Sequence, residues 1–174
     1  MTTTFCCCPS PLGELVLTAS DAALTGVYFP TRRYGSIPKA RQEWREADGR
    51  APASAILGET RAQLREYFAR PRTAFDLPLD PSGTAFQRRV WDALRTVPYG
   101  ATTSYIELAG RLGDPRATRA VGAANGRNPI PIIIPCHRVI GARGDLTGFG
   151  GGLDRKRWLL EHEGALMELG GGRV

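Results

Sequence analysis

The chain has 174 residues, 42% of them apolar, and a formal net charge of +6, which is room for one ordinary domain or two small ones with their own cores. No apolar run approaches the roughly 18 residues needed to cross a bilayer, and no basic segment followed by an apolar stretch opens the chain. A membrane protein and a secreted one are therefore excluded as expectations, and a cytosolic protein is expected.

Phe5–Cys8, Leu15–Leu17 and Leu24–Phe29 are short β-rich runs, separated by Pro9-Ser10-Pro11 with Gly13 and by Ser20-Asp21, and they read as strands. Cys6, Cys7 and Cys8 fall in the first of them. Alternate strand residues point to opposite faces, so the three would not converge on one ion. They read as small strand residues, and four Cys in a cytosolic chain do not make a disulfide framework. His137 and His162 are the only histidines, and no metal site is expected. Residues 30–53 hold Pro, Gly and many charges and read as loop. Ile56–Arg70 reads as a helix, with Ile56, Leu57, Leu64, Tyr67 and Phe68 on one face and Pro71 as its stop. Three prolines and Gly83 across residues 71–83 mark a linker, dividing the chain into 1–80 and 81–174.

The second half reads as short helices. Thr84 with Gln87 is a capping-box pattern ahead of Phe86, Val90, Trp91 and Leu94. Ser104 with Glu107 is a second, opening a helix from Tyr105 to Leu112 that Gly113 ends. Asp114-Pro115 then opens another, running to about Asn125. Helix, brief turn, helix is the helix-turn-helix pattern. On its second helix Arg116, Arg119 and Arg127 alternate with Ala117, Ala120, Gly122, Ala123 and Ala124. Small side chains allow close backbone approach, either to another helix or to the narrow minor groove of DNA.

The charge distribution bears on that choice. Residues 1–80 carry 10 basic and 9 acidic side chains, whereas residues 81–174 carry 13 and 8. Only Lys39 and Lys156 are lysines; the rest of the excess is Arg, whose planar fork matches phosphate. A basic second half fits a polyanion partner, with a plain basic surface as the alternative.

Cys136 and His137 lie together in Pro135-Cys136-His137-Arg138-Val139. A thiolate is the reactive form of Cys, and a nearby imidazole raises its population. Adjacent residues of an extended segment point apart, so one water is the expected bridge between them.

The same pentapeptide resembles the active-site signature of the O6-alkylguanine-DNA alkyltransferases, the methylated-DNA–protein-cysteine methyltransferases, and is closest in type to bacterial members. Thr-Ser-Tyr105, Arg119-Ala-Val-Gly122, Asn128-Pro and Trp158-Leu-Leu-Glu-His-Glu163-Gly fit further motifs of that family, across residues 84–164. The resemblance implies an α+β fold: a small N-terminal sheet-and-helix subdomain of RNase H-like type, and a C-terminal winged helix-turn-helix subdomain. It implies an irreversible, stoichiometric transfer of an alkyl group from O6-alkylguanine in double-stranded DNA to Cys136, with O4-alkylthymine as a further substrate. No cofactor is implied. The protein is expected as a monomer bound through the minor groove, with or without cooperativity along DNA. A damage sensor that binds alkylated DNA without accepting the group is the alternative; relatives of that kind replace the Cys.

Roles follow from the same resemblance. His137 serves as base and Glu163 orients it, where a frayed Glu would be the plain reading. Tyr105 hydrogen-bonds the leaving base, unless it only packs on its helix. Backbone near Val139, Phe149 and Gly150 holds the base edge. Arg119 fills the gap left by an extruded base. Arg116, Ala117, Thr118, Ala120, Gly122 and Arg127 line the DNA. Asn128 ties the helix-turn-helix to the Cys segment, or simply turns the chain before Pro129. Phe149-Gly150 departs from the family's usual Tyr-Ser or Tyr-Ala, so a side-chain hydroxyl is missing there. His162 is expected to face solvent or to sit as a dipole-compatible residue at a helix end.

Overall fold

The computed structural model describes residues 3–29 and 43–166. Contacts cluster into two units, Met1–Ser82 and Gly83–Val174. Each is built around its own core.

The first unit is a four-stranded sheet with one helix. Strands β1 (Thr4–Cys8), β2 (Leu15–Ala19) and β3 (Leu24–Tyr28) form an antiparallel meander, with Cys6 opposite Leu17 and Leu17 opposite Val27. Strand β4 (Arg45–Glu46) adds to β1 in parallel, giving the order β3-β2-β1-β4. β4 replaces loop expected at those positions. Two residues carry no periodicity, so only the pairing defines the strand. The β2–β3 connection is set by Ser20, whose hydroxyl accepts from the Ala22 and Ala23 amides.

Helix α1 spans Pro52–Phe68 and begins a turn before the expected Ile56. Pro52 is its first residue, where a fixed φ favours the helix and the missing N–H costs nothing. Ala53, Leu57, Thr60, Leu64 and Tyr67 form the buried stripe, which packs on β1 and β2. Gln63 is also buried, and its amide bonds both backbone groups of Asp76. Leu24 in turn donates to Pro78 O and accepts from Asp80 N. Much of the expected linker is therefore a strap fastened to the first unit.

The second unit starts with α2 (Ala85–Leu94), closed by the Thr84–Gln87 capping box. The Ser104–Glu107 box opens α3 (Tyr105–Arg111). Gly113 takes φ +95°, which frees the chain to reverse. Asp114 then accepts the Arg116 amide, and Pro115–Ala117 form a 3-10 turn before α4 (Thr118–Gly126). The expected single helix from Asp114 is thus two pieces, because the Asp114 cap closes a tighter turn. Strands β5 (Thr103–Ser104) and β6 (Val139–Ile140) pair in parallel. Helix α5 spans Leu153–His162.

Trp91 is buried and its indole N–H donates to Ala124 O at 2.9 Å, joining α2 to α4. Trp91→Phe removes that donor, while Ala124 O keeps the Arg127 amide at 3.2 Å. It should lower stability by about 0.5–1.5 kcal/mol, read as a fall in urea midpoint at constant slope.

Candidate active site

The chain entering the site is held by its own side chains. Asn128 Nδ2 donates to Ile134 O at 2.8 Å and its Oδ1 accepts from Ile130 N at 3.0 Å. Asn128 thus fixes the segment between α4 and the Cys. Ile132, fully buried, sits at φ +76°. For a β-branched residue that conformation costs of order 1–3 kcal/mol and persists only where packing over-determines it.

Cys136–Arg138 form a 3-10 turn, not the extended segment expected. The turn arises because Arg138 N bonds back to Pro135 O at 3.1 Å. Asn125 also reaches it, with Nδ2 at 3.4 Å from Cys136 O. Cys136 is only 3% exposed. Burial pushes its thiol up to about 11, against the Asn128 side chain, the Lys156 charge and nearby backbone N–H groups. The resting sulfur is therefore a protonated thiol, not the accessible thiolate that the motif suggests.

His137 is fully buried beside it. Its Nε2 lies 2.8 Å from Glu163 Oε1. Nδ1 is buried too and meets no hydrogen-bond partner among the described residues. Desolvation holds His137 below its ordinary pKa, although Glu163 pulls the other way. The ring is neutral, so Nε2 carries the proton toward the carboxylate and Nδ1 keeps a lone pair.

Glu163 caps the C-terminus of α5, immediately after the last helical residue. Arg138 grips it twice, Nε to Oε2 at 2.8 Å and Nη2 to Oε1 at 2.9 Å, while Arg138 Nη1 donates to Val97 O. Burial alone would raise this carboxyl, but His137 and Arg138 outweigh it and hold it below the usual range. His162 is the last residue of α5, the helix-end alternative, and it does not face solvent: it is buried and stacks on Trp158 at 4.9 Å.

Sequence reasoning missed Arg138, Asn125 and Lys156. Lys156 is fully buried, and its ammonium donates to Val139 O and Thr147 O. A signal existed in its residue type, since only two of 23 basic residues are Lys. Tyr105 meets the same loop, its hydroxyl donating to Thr147 O at 2.9 Å. Val139 and Phe149 are buried, whereas Gly150 is exposed. The missing Cβ of Gly150 would lie 3.5 Å from Gly126 O at the end of α4.

Of the α4 candidates, Arg116, Arg119, Ala120 and Arg127 are exposed, together with Ala123. Ala117 and Thr118 are half-buried, and the Thr118 hydroxyl donates to Pro115 O. Gly122 is also half-buried and faces inward, where a Cβ would stand 3.8 Å from the Tyr105 ring. Among the described residues no cluster of His, Cys, Asp and Glu could hold a metal ion. No described helix is long and apolar enough to cross a membrane.

Residues 85–165 match the family model described as 6-O-methylguanine DNA methyltransferase, DNA binding domain. Residues 4–81 match that of the ribonuclease-like domain of the same family. The chain belongs to the 6-O-methylguanine DNA methyltransferase family. Both parts of the expected α+β fold are thereby shown. The methylated-DNA–protein-cysteine methyltransferase of Mycolicibacterium paratuberculosis is 52% identical over 154 residues, 88% of each chain. The crystal structure of Mycobacterium tuberculosis O6-methylguanine methyltransferase superposes with TM-score 0.83 at 46% identity, covering 94% of each chain. That of Mycobacterium tuberculosis OGT in complex with DNA gives TM-score 0.82 at 48% identity over 92% of each.

The network makes stability depend on pH. Native His137 refuses a proton that the unfolded chain binds near ~6.5, so stability is full above that pH and falls below it. Glu163, held low when folded, adds a further loss as the unfolded carboxyl protonates near ~4.3. Urea midpoints should be level near neutrality and drop in two stages on acidification. Glu163→Gln should remove the lower stage. It should also cost about 3–5 kcal/mol at pH 7 by leaving the Arg138 charge buried and unmatched. An unchanged midpoint in that variant contradicts the buried network.

Proposed function

We propose that this family member repairs DNA by moving an alkyl group from guanine O6 to Cys136, once per molecule and irreversibly. The observation that carries the reading is the neutral His137, hydrogen-bonded to Glu163 through Nε2 and left with an unpartnered buried Nδ1 beside the Cys. A thiol that titrates near 11 needs such an acceptor to ionise at neutral pH.

The steps balance. His137 Nδ1 takes the thiol proton through one water. Cys136 Sγ forms a bond to the alkyl carbon as the carbon–O6 bond breaks. The departing purine collects negative charge; the Tyr105 hydroxyl turns from Thr147 O and gives its proton to a ring nitrogen, and the proton on His137 then passes through solvent to the tyrosinate. One proton thus moves in net from thiol to guanine, so the products are a thioether and a neutral base, with His137 and Tyr105 as they began. Backbone of Val139, Phe149 and Gly150 holds the base edge. Asn128 keeps the Cys segment in place.

The guanine must leave the stack first, at a cost of a few kcal/mol. The exposed Arg119 stands in the first turn of α4 and fills the vacated space. Ala120 and Ala123 keep the same face low enough for the minor groove, with Arg116 and Arg127 on phosphates. The DNA complex of the Mycobacterium tuberculosis relative supports DNA binding by this protein. The protein acts as a monomer in the cytosol, its two folding units divided near residues 80–83.

Incubation with duplex DNA containing O6-methylguanine should add one methylene mass to the Cys136 peptide, in a one-to-one limit. An unmodified peptide after full exposure rejects the reading. Arg119→Ala should slow repair of duplex DNA by on the order of tenfold, because the side chain offsets part of the flipping cost. Its reaction with free O6-benzylguanine should be nearly unchanged. Equal losses on both substrates remove the finger role.

A further inference from the structure

We propose that Asn125 reads the substrate base, its side-chain Oδ1 accepting a hydrogen bond from the exocyclic 2-amino group of O6-alkylguanine. The inference rests on the alkyl-transfer reading and adds a specificity-determining residue to it.

Asn125 lies on the buried side of α4 and is only 2% exposed. Its Nδ2 donates to Cys136 O at 3.4 Å, which fixes the sense of the amide: nitrogen toward that carbonyl, oxygen away from it. Oδ1 is buried and meets no hydrogen-bond partner among the described residues. A buried amide oxygen without a donor costs about 1–3 kcal/mol. A leucine of the same shape would carry no such cost, so the polar group calls for a use.

Its neighbours on α4 touch the parts of the site that the proposed reaction assigns to the base. Gly122, one turn earlier on the helix, would place a Cβ 3.8 Å from the Tyr105 ring. Gly126, the next residue, sets its carbonyl 3.5 Å from where a Cβ on Gly150 would stand. Asn125 is thus bonded to the nucleophile's own backbone and flanked by contacts to Tyr105 and to the base-holding loop. The other acceptor of the site without a partner, His137 Nδ1, already has work as the base. Oδ1 has none in the steps described.

The chemistry of the substrate selects its partner. Alkylation at O6 takes the proton from N1 of guanine, N9 carries the sugar, and N3 and N7 are acceptors. The 2-amino group is then the one N–H donor left on the base. A fixed acceptor matches it. A 6-alkoxypurine without the amine leaves Oδ1 unsatisfied, so the burial penalty returns as lost rate on the wrong base. The Nδ2 bond to Cys136 O holds the acceptor in place relative to the attacking residue.

The test uses the whole chain and single-stranded oligonucleotides, so that no base pair has to open. One carries O6-methylguanine and the other O6-methylhypoxanthine, which lacks only the amine. Single-turnover transfer to Cys136 is measured for wild type and Asn125→Leu, alongside urea unfolding. Wild type should favour the guanine substrate on the order of tenfold. Asn125→Leu should bring that preference to within about twofold of unity, chiefly by losing rate on guanine. Loss of the Nδ2 bond slows both substrates alike, and the bases differ as leaving groups equally for both proteins, so these effects cancel in the ratio. A preference that is the same in both proteins shows a structural or water-holding amide and overturns the proposal.

Should Asn125→Leu not fold, Asn125→Ala removes the acceptor without adding bulk and is read by the same ratio. In wild type alone, equal rates on the two bases also overturn the proposal. Absence of any adduct on wild-type Cys136 with O6-methylguanine removes the transfer reading itself, and this inference with it.

Discussion

Among the described residues Glu163 is the one carboxylate that the fold buries. Stripping its hydration costs several kcal/mol, which only excellent pairing can offset. Arg138 supplies two hydrogen bonds, His137 a third and the Gly100 amide a longer one at 3.4 Å. These partners come from the Cys136 turn and from the chain just ahead of β5, while Glu163 itself closes α5. One charge therefore pins three separate elements. It also decides the protonation of the site. Because Arg138 already balances the carboxylate, His137 need not be a cation, and desolvation keeps it neutral. A His paired with an unshared Glu would favour the charged form and would have no lone pair to offer.

Much of this fold was legible because local chemistry and tertiary need coincide. Thr84–Gln87 and Ser104–Glu107 read as caps and are caps, since both halves of each box lie within four residues. The meander is written in short β-rich runs split by turn residues. What escaped depends on partners far away in sequence. Gln63 and Asp76 meet across α1 and the strap, and nothing in either neighbourhood announces it. β4 exists only as a pairing with β1. Apolar periodicity alone starts α1 at Ile56, a turn late, although Pro52 at a first helical position is itself a start signal.

The site divides the same way. Motifs point to Cys136, His137, Tyr105, Asn128 and Glu163, and to Arg119, which is exposed on α4. Arg138 stood inside the quoted pentapeptide without being given work, because an Arg in a basic chain reads as surface. Burial reverses that reading: a guanidinium with little solvent must be answered by an acid, and the acid is Glu163. Lys156 shows the converse. In a sequence that uses Arg nearly everywhere, it is one of two Lys, and its compact ammonium sits between two carbonyls where a planar fork would not fit as well. Ile132 carried no sequence mark at all; its left-handed backbone is imposed by the packed turn before the Cys.

The protonated, buried state of Cys136 then has a chemical sense. Thiolates are the form that oxidants and adventitious electrophiles attack, and susceptibility follows exposure. For an acceptor used once, any such event is final, since no turnover restores the sulfur. A thiol held near 11 and 3% exposed is poorly reactive until something changes around it. One group that could change it is already in place: a neutral imidazole able to take the proton. It acts little on a thiol that keeps its proton and strongly on one that is losing it, so burial that keeps Cys136 quiet at rest is compatible with reaction once an alkylated base reaches it.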